Sequence, residues 1–241
     1  EDSIYRPVSG EDIYGRARET SDQPNAAAYV PPARRKLSVV DDSSEGVKMT
    51  KKQMNGLMNR LSEHSRDTIL RSMKDIFDSN STSVCCMVLK DLIMSACANA
   101  TQMMTSLIPV YASMIAALHY AVGVDVGAFI VEHLTSKLHS QVTELNEQGN
   151  GMGASHPLLN SKLPNNCILI LVYLYGARIL HHDLIVDLMQ FLSQLRSENG
   201  RLGEKQVELL VCLVDGCGQQ LRSDDPVKLK DIMNVLSAEE D

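Results

Sequence analysis

At 241 residues the chain is long enough to bury a full core, either as one domain or as a domain with a tail. Its apolar content is 44%, but aromatics make up only 4% and Trp is absent, so Leu, Met, Ile, Val and Ala must fill the core. That palette suits helices packed on helices and counts against an all-β fold. The formal net charge of −7 repels a phosphate backbone at long range, so direct nucleic-acid binding is not the first expectation.

Six cysteines stand at 85, 86, 97, 167, 212 and 217, five of them inside apolar periodic segments. They have neither the paired spacing of a zinc site nor the loop-borne arrangement of a small secreted domain, and they read as reduced core thiols of an intracellular protein. The longest apolar run, Cys167 to Tyr175, is nine residues, well short of the roughly 20 that cross a bilayer. No membrane span is expected. The chain begins with Glu1 rather than Met and nothing at its start resembles a signal peptide, so it reads as a piece of a longer protein.

In chain order, residues 1–48 mix charged residues, Ser and Pro with isolated apolar residues, and no helical period runs through Tyr29-Val30-Pro31-Pro32. Proline disfavours the α region for the residue before it, so this segment is expected to be an extended tail. Its apolar residues Ile13, Tyr14, Tyr29 and Val30, with Pro31 and Pro32, suit a segment that becomes ordered on a partner. Arg34-Arg35-Lys36 is a candidate RNA contact, although three charges in a tail are usually only solvated.

The rest, 49–241, reads as successive amphipathic helices. Met54, Leu57, Met58 and Leu61 fall at i, i+3, i+4 and i+7, and Ile69, Met73, Ile76 and Phe77 define a second face. A third helix, about 82–100, carries Val84, Val88, Leu92 and Ser95 as one stripe, broadened by Leu89, Ile93 and Cys97. The fourth, 106–122, stops at Gly123, and the fifth runs from about 125 to 145. Residues 146–163, with Gly149-Asn150-Gly151-Met152-Gly153, have loop composition.

Pro164 opens the sixth helix, where its missing N–H costs nothing. By periodicity alone Cys167 to Tyr175 also fits a buried strand, but its neighbours are helical and a helix is expected. Asp183 suits the cap of a seventh helix, and the eighth follows Gly203 with Val207, Leu210, Val211, Val214 and Leu221 inward. Asp225-Pro226 starts the ninth, lined by Leu229, Ile232, Met233 and Leu236. The expected fold is all-α, a HEAT-like solenoid of stacked antiparallel helix pairs. With an odd helix count, the ninth must pack on the eighth and a tenth is expected to be missing.

Candidate chemistry is sparse. His181-His182-Asp183 is the densest set of metal-ligand types, but adjacent helical histidines point about 100° apart and a closed site would need ligands from elsewhere. A turn with an N-cap is the better account, so no metal is expected. The glycine cluster at 149–153 lacks the Lys-Ser or Lys-Thr of a phosphate loop, and Ser155-His156 lacks a nucleophile elbow. No catalytic residue and no cofactor are expected, which points to a binding protein rather than an enzyme.

Several stretches together resemble a known family. Asn55-Gly56-Leu57-Met58-Asn59-Arg60-Leu61-Ser62-Glu63 is similar to the first helix of the middle domain of initiation factor 4G (MIF4G), in the branch found in nucleolar proteins. The third helix from Asn80, Leu107 to Tyr111 with Leu118-His119, and Gly216 to Met233 follow in the order of that branch, preceded by Asp12 to Arg16 and Tyr29 to Pro32. The resemblance implies five stacked helix pairs, followed in the family by a second helical domain of MA3 type.

It further implies a clamp on a DEAD-box RNA helicase of the initiation-factor-4A type, whose ATPase belongs to the partner. The implied setting is the nucleolus, in small-ribosomal-subunit assembly and pre-rRNA processing. The family's helicase contact carries over onto Asn59 and Arg60, with Asn55 and Glu63 beside them in the same segment. A purely structural subunit of a pre-ribosomal particle is the alternative. Lys36-Leu37-Ser38-Val39 lacks the terminal aromatic of the phosphatase-docking sequence carried by some nucleolar relatives.

Overall fold

The buried residues trace the stripes that make the helices. Met54, Leu57 and Met58 line one face of α1 (Glu45–Met58), and Ile69, Met73 and Phe77 one face of α2 (Arg66–Ser79). The computed structural model describes residues 45–97, 102–149, 161–195 and 202–237, all within one compact unit, Val40–Asp241. The first helix begins at Glu45, so residues 45–48, read from sequence as the end of the tail, form its first turn.

The helices that follow are α3 (Thr82–Cys97), α4 (Ile108–Ala121), α5 (Val124–Gly149), α6 (Leu163–Gly176), α7 (His182–Gln194), α8 (Glu204–Asp224) and α9 (Pro226–Ser237). They pack in two rows. One row stacks α2, α4, α6 and α8 in succession, and the other stacks α1, α3 and α5. Cross-row packing of α1 on α2, α4 on α5, α5 on α6 and α7 on α8 closes the core between them, and α9 packs on both α7 and α8. Among the described residues this is an all-α solenoid, as the periodicity predicts.

Two packing faces differ from the sequence expectation. On α3 the buried set is Cys85, Cys86, Val88, Leu89, Ile93 and Cys97, while Ser95 is exposed and Leu92 half-buried. The thiols behave as small apolar groups and turn the helix by about one residue from the predicted stripe. On α8 Leu209, Leu210, Leu213, Cys217 and Leu221 are buried, whereas Val207 and Val211 are 45% and 52% exposed. Both phases are helical in period, and the leucines with Cys217, none of them branched at Cβ, take the core.

The central element is α6, buried from Leu163 to Tyr175 except at Leu169 and Tyr173, as expected of a helix with neighbours on every side. The run Cys167 to Tyr175 is therefore helical, and Pro164 occupies its first turn. Asn166, fully buried near its start, donates to Cys97 O at 3.1 Å and accepts from the Met104 N–H at 3.1 Å. It thereby satisfies backbone groups at both ends of the α3–α4 connection.

At the other end of α6, Ile179 N–H donates to Leu174 O and Arg178 N–H to Tyr175 O, the two bonds of a Schellman cap. The left-handed position of that cap is usually glycine but is here Arg178, with φ 60°. Its guanidinium is tied to Asp224 at 2.7 Å, which also accepts from Tyr175 Oη at 2.5 Å. This turn delivers the chain to His181, the N-cap residue of α7. Asp183, expected as the cap, lies one residue inside the helix.

Candidate partner-binding surface

The segment singled out by the resemblance lies where α1 ends. Backbone bonds from Asn59 N–H to Asn55 O, Arg60 N–H to Leu57 O and Leu61 N–H to Met58 O tighten the last turn, so Asn59 and Arg60 form the turn just past the helix. Leu61 is buried and anchors the turn from below. Ser65 Oγ donates to Arg60 O at 2.7 Å and accepts from the Ser62 N–H at 2.9 Å, which fixes the loop into α2. Arg60 Nε donates back to Gly56 O at 3.0 Å, capping a C-terminal carbonyl of α1.

Asn55, Asn59, Arg60 and Glu63 are all exposed. Asn55 lies within α1, and Asn59, Arg60 and Glu63 lie in the turn and loop that follow it. Arg60 also borders an open groove of about 950 Å³ between α1 and α2, whose lining includes Gly56, Ile76 and Met49, the last 59% exposed. Thr50 Oγ1, 3.2 Å from Asn80 Oδ1, ties the two helices at the far end of the groove. The groove itself was not anticipated. An exposed Met and a glycine inside a helical run were the available signals for it.

The arrangement offers donors, an acceptor amide and apolar side chains such as Met49 and Ile76, which suit recognition of a surface. Thiol chemistry has little to work with. Burial pushes Cys85, Cys86 and Cys217 up to about 11 and Cys97 and Cys167 up to about 12, so these groups stay protonated at neutral pH. The tail candidates Ile13, Tyr14, Tyr29, Val30, Pro31 and Pro32, and the basic Arg34, Arg35 and Lys36, lie outside the described residues.

A second polar site sits between α6 and α8. Lys205, its side chain 3% exposed, donates to Asn165 Oδ1 at 2.6 Å and to Glu208 Oε2 at 2.8 Å, and Lys162 pairs with Glu208 Oε1 at 2.5 Å. Burial pulls the Lys205 ammonium below the ordinary lysine range, against the opposing effect of Glu208. For Glu208 burial pushes the carboxyl up, but the two ammonium donors outweigh it and hold the group below the ordinary glutamate range. No hydrophobic pattern marks this brace in the sequence.

Rows of paired helices with an exposed polar edge and an open groove define an interaction module of the helical-repeat class. Residues 51–239 match the MIF4G domain family, and the chain belongs to that family. MIF4G domains are protein–protein interaction domains, generally adaptors rather than catalysts. The chain is 32% identical over 224 residues to suppressor of glycerol defect protein 1 of Schizosaccharomyces pombe, covering 90% of this chain and 27% of that protein. It is 28% identical over 249 residues to the Drosophila melanogaster nucleolar MIF4G domain-containing protein 1 homolog, covering 97% and 27%. It is 26% identical over 229 residues to nucleolar MIF4G domain-containing protein 1 of Mus musculus, covering 95% and 24%. The chain thus spans about a quarter of the length of these relatives.

Proposed function

We propose that this chain is a non-catalytic scaffold that binds and stimulates a DEAD-box RNA helicase of the initiation-factor-4A type, in nucleolar assembly of the small ribosomal subunit and processing of its RNA. The observation that carries the reading is the exposed Asn59-Arg60 turn, held rigid by Leu61 and Ser65 beside the α1–α2 groove. Asn offers both a donor and an acceptor, and Arg a planar fork for a carboxylate or backbone oxygen. Asn55 and Glu63 extend the contact. The nucleolar setting is supported by the names of the mouse and fly relatives.

A helicase that closes over RNA and ATP is a two-state element. A scaffold that binds one relative orientation of its lobes more tightly shifts that equilibrium by the difference in affinity. The tail residues Ile13, Tyr14 and Tyr29 to Pro32 would add a second contact on the pre-ribosomal particle, with Arg34 to Lys36 touching its RNA.

The test is a pull-down and an RNA-stimulated ATPase assay with the wild-type chain and with Asn59→Asp combined with Arg60→Glu. Loss of both binding and stimulation supports the clamp. Unchanged binding and stimulation removes this surface from the mechanism. Recovery of pre-ribosomal RNA from nucleolar extract without any DEAD-box helicase would favour a purely structural subunit.

A further inference from the structure

The turn between α6 and α7 and the junction of α8 with α9 place two imidazoles and two carboxylates together. His181 Nδ1 lies 2.9 Å from Asp183 Oδ2, and His182 Nε2 lies 3.5 Å from Asp183 Oδ1 and 3.6 Å from Asp225 Oδ2. The ligand atoms of the first three residues all fall within 4.8 Å of one another, and the two rings sit 4.0 Å apart, tilted by 39°. A zinc-class ion bound tetrahedrally at about 2.0–2.1 Å has ligands about 3.3–3.4 Å apart. The three close separations fall on either side of that value, but they use both oxygens of Asp183, Oδ2 toward His181 and Oδ1 toward His182, so one carboxylate oxygen must swing inward to close the shell.

Adjacent histidines in a helix diverge, but His181 has extended backbone angles, φ −79° and ψ 152°, and only His182 is helical. The ring nitrogens can therefore converge. The ligand from elsewhere that sequence alone could not name is Asp225, 42 positions after Asp183. Its Oδ1 accepts from the Lys228 N–H at 3.0 Å as the cap of α9, which leaves Oδ2 turned toward His182.

The place already holds a cation. Lys228 Nζ lies 2.5 Å from Asp183 Oδ1 and 3.7 Å from Asp225 Oδ2, so two carboxylates share one ammonium and retain excess negative charge. Those carboxylates also offset the positive end of the α7 dipole, which by itself would repel an ion. An open cavity of about 420 Å³ lies on the imidazole side of the cluster, lined in part by Leu180, His181 and His182.

We propose that His181, His182, Asp183 and Asp225 form a binding site for a divalent transition-metal ion of the zinc class, which clasps the start of α7 to the start of α9. Two neutral imidazoles and two carboxylates suit that class better than the all-oxygen shells of Mg²⁺ or Ca²⁺. Binding takes His181 Nδ1 from its present contacts with Asp183 Oδ2 and the Asp183 N–H and releases the Lys228 ammonium to solvent. The role is structural, fastening the last described helix to the stack.

The experiment is calorimetry with Zn²⁺ and absorption spectroscopy with Co²⁺ on the 241-residue chain and its variants. The expected result is one saturable Zn²⁺ per chain, visible Co²⁺ bands of a tetrahedral N/O site, and a higher melting temperature with Zn²⁺. His182→Ala and Asp225→Asn each weaken binding by at least about tenfold, the lower bound for removing a supporting group at a metal site. Lys228→Met tightens it, because the competing charge is gone, and His156→Ala changes nothing. Melting of each metal-free variant close to that of the metal-free wild type separates loss of the ion from loss of the fold. Absence of saturable binding, retention of affinity in His182→Ala with Asp225→Asn, or a thiolate-to-cobalt charge-transfer band would overturn the assignment.

Discussion

Lys205 and Glu208, one turn apart on α8, form an ion pair at 2.8 Å in which the lysine is the deeper partner, its side chain 3% exposed against 35% for the glutamate. The carboxylate also takes Lys162, so the brace holds two cations on one anion. Its two members are therefore unequal in what their removal does. Glu208→Gln strands a buried ammonium beside Asn165 alone and is expected to cost about 2–3 kcal/mol, below the roughly 3–5 kcal/mol of a fully unpaired buried charge. Lys205→Met leaves Glu208 paired with Lys162 but takes the donor from the buried Asn165 Oδ1, and is expected to cost about 1 kcal/mol, less than Glu208→Gln. Urea denaturation of the two variants gives the comparison, and equal losses would refute the asymmetry.

The same pair sets an acid limb. The Glu208 carboxyl is held below its ordinary 4.5 in the folded chain, so above that pH its ionised form contributes stability in full. As pH falls below 4.5 the unfolded chain takes up the proton first, and the contribution is lost by the time the folded group is protonated. The stability difference between wild type and Glu208→Gln is expected to be constant at neutral pH and to shrink on acidification below 4.5. A difference that grew in acid would contradict the sign.

Glycines at two positions should respond oppositely to alanine. A Cβ at Gly216 would lie 2.7 Å from Val172 Cγ1, where α8 presses on α6, and Gly216→Ala is expected to cost about 1–3 kcal/mol by overpacking. At Gly56, inside α1, a Cβ meets nothing within 4 Å, and Gly56→Ala is expected to gain about 0.5–1 kcal/mol from helix propensity. Thermal melts report both signs. The Gly56 variant also tests the groove, since a stabilised chain that loses its partner would show that the partner needs the space.

Asn166→Ala leaves the Met104 N–H and the Cys97 carbonyl without their side-chain partner inside the stack. Each deserted buried group costs about 1–3 kcal/mol, so a loss of about 2–4 kcal/mol is expected. Hydrogen exchange should speed up first at the start of α4. Uniform acceleration over the whole chain would instead mean that the connection is not a separate opening unit.

Thiol labelling offers an independent probe of the rows. Cys212 is the one half-buried cysteine and should react first with an aromatic disulfide reagent at neutral pH. The other five, buried and pushed up to about 11–12, should react only as fast as the chain opens. Rapid labelling of Cys97 or Cys167 would show that α3 or α6 is less enclosed than described.

The helices were legible because a 3.6-residue apolar period survives without aromatics, as at Met54, Leu57 and Met58. Choosing the buried face was harder where two phases compete. On α8 the valines and the leucines both repeat helically, and the packing of neighbouring helices, α6 and α7 above all, selects Leu209, Leu213 and Cys217. Polar groups that act through the third dimension were invisible. Asn165 and Asn166 look like ordinary first-turn residues until Lys205 and the α3–α4 connection arrive from 40 and 69 positions away. The Asn59-Arg60 edge was reached by resemblance, and its placement beside a groove came only with α2.

Because the main packings join helices close together in the chain, such as α2 with α4, α4 with α6 and α6 with α8, little loop closure stands between synthesis and structure. Each new helix finds its seat on helices already made, so a chain leaving the ribosome can build the stack from the α1 end without waiting for distant segments.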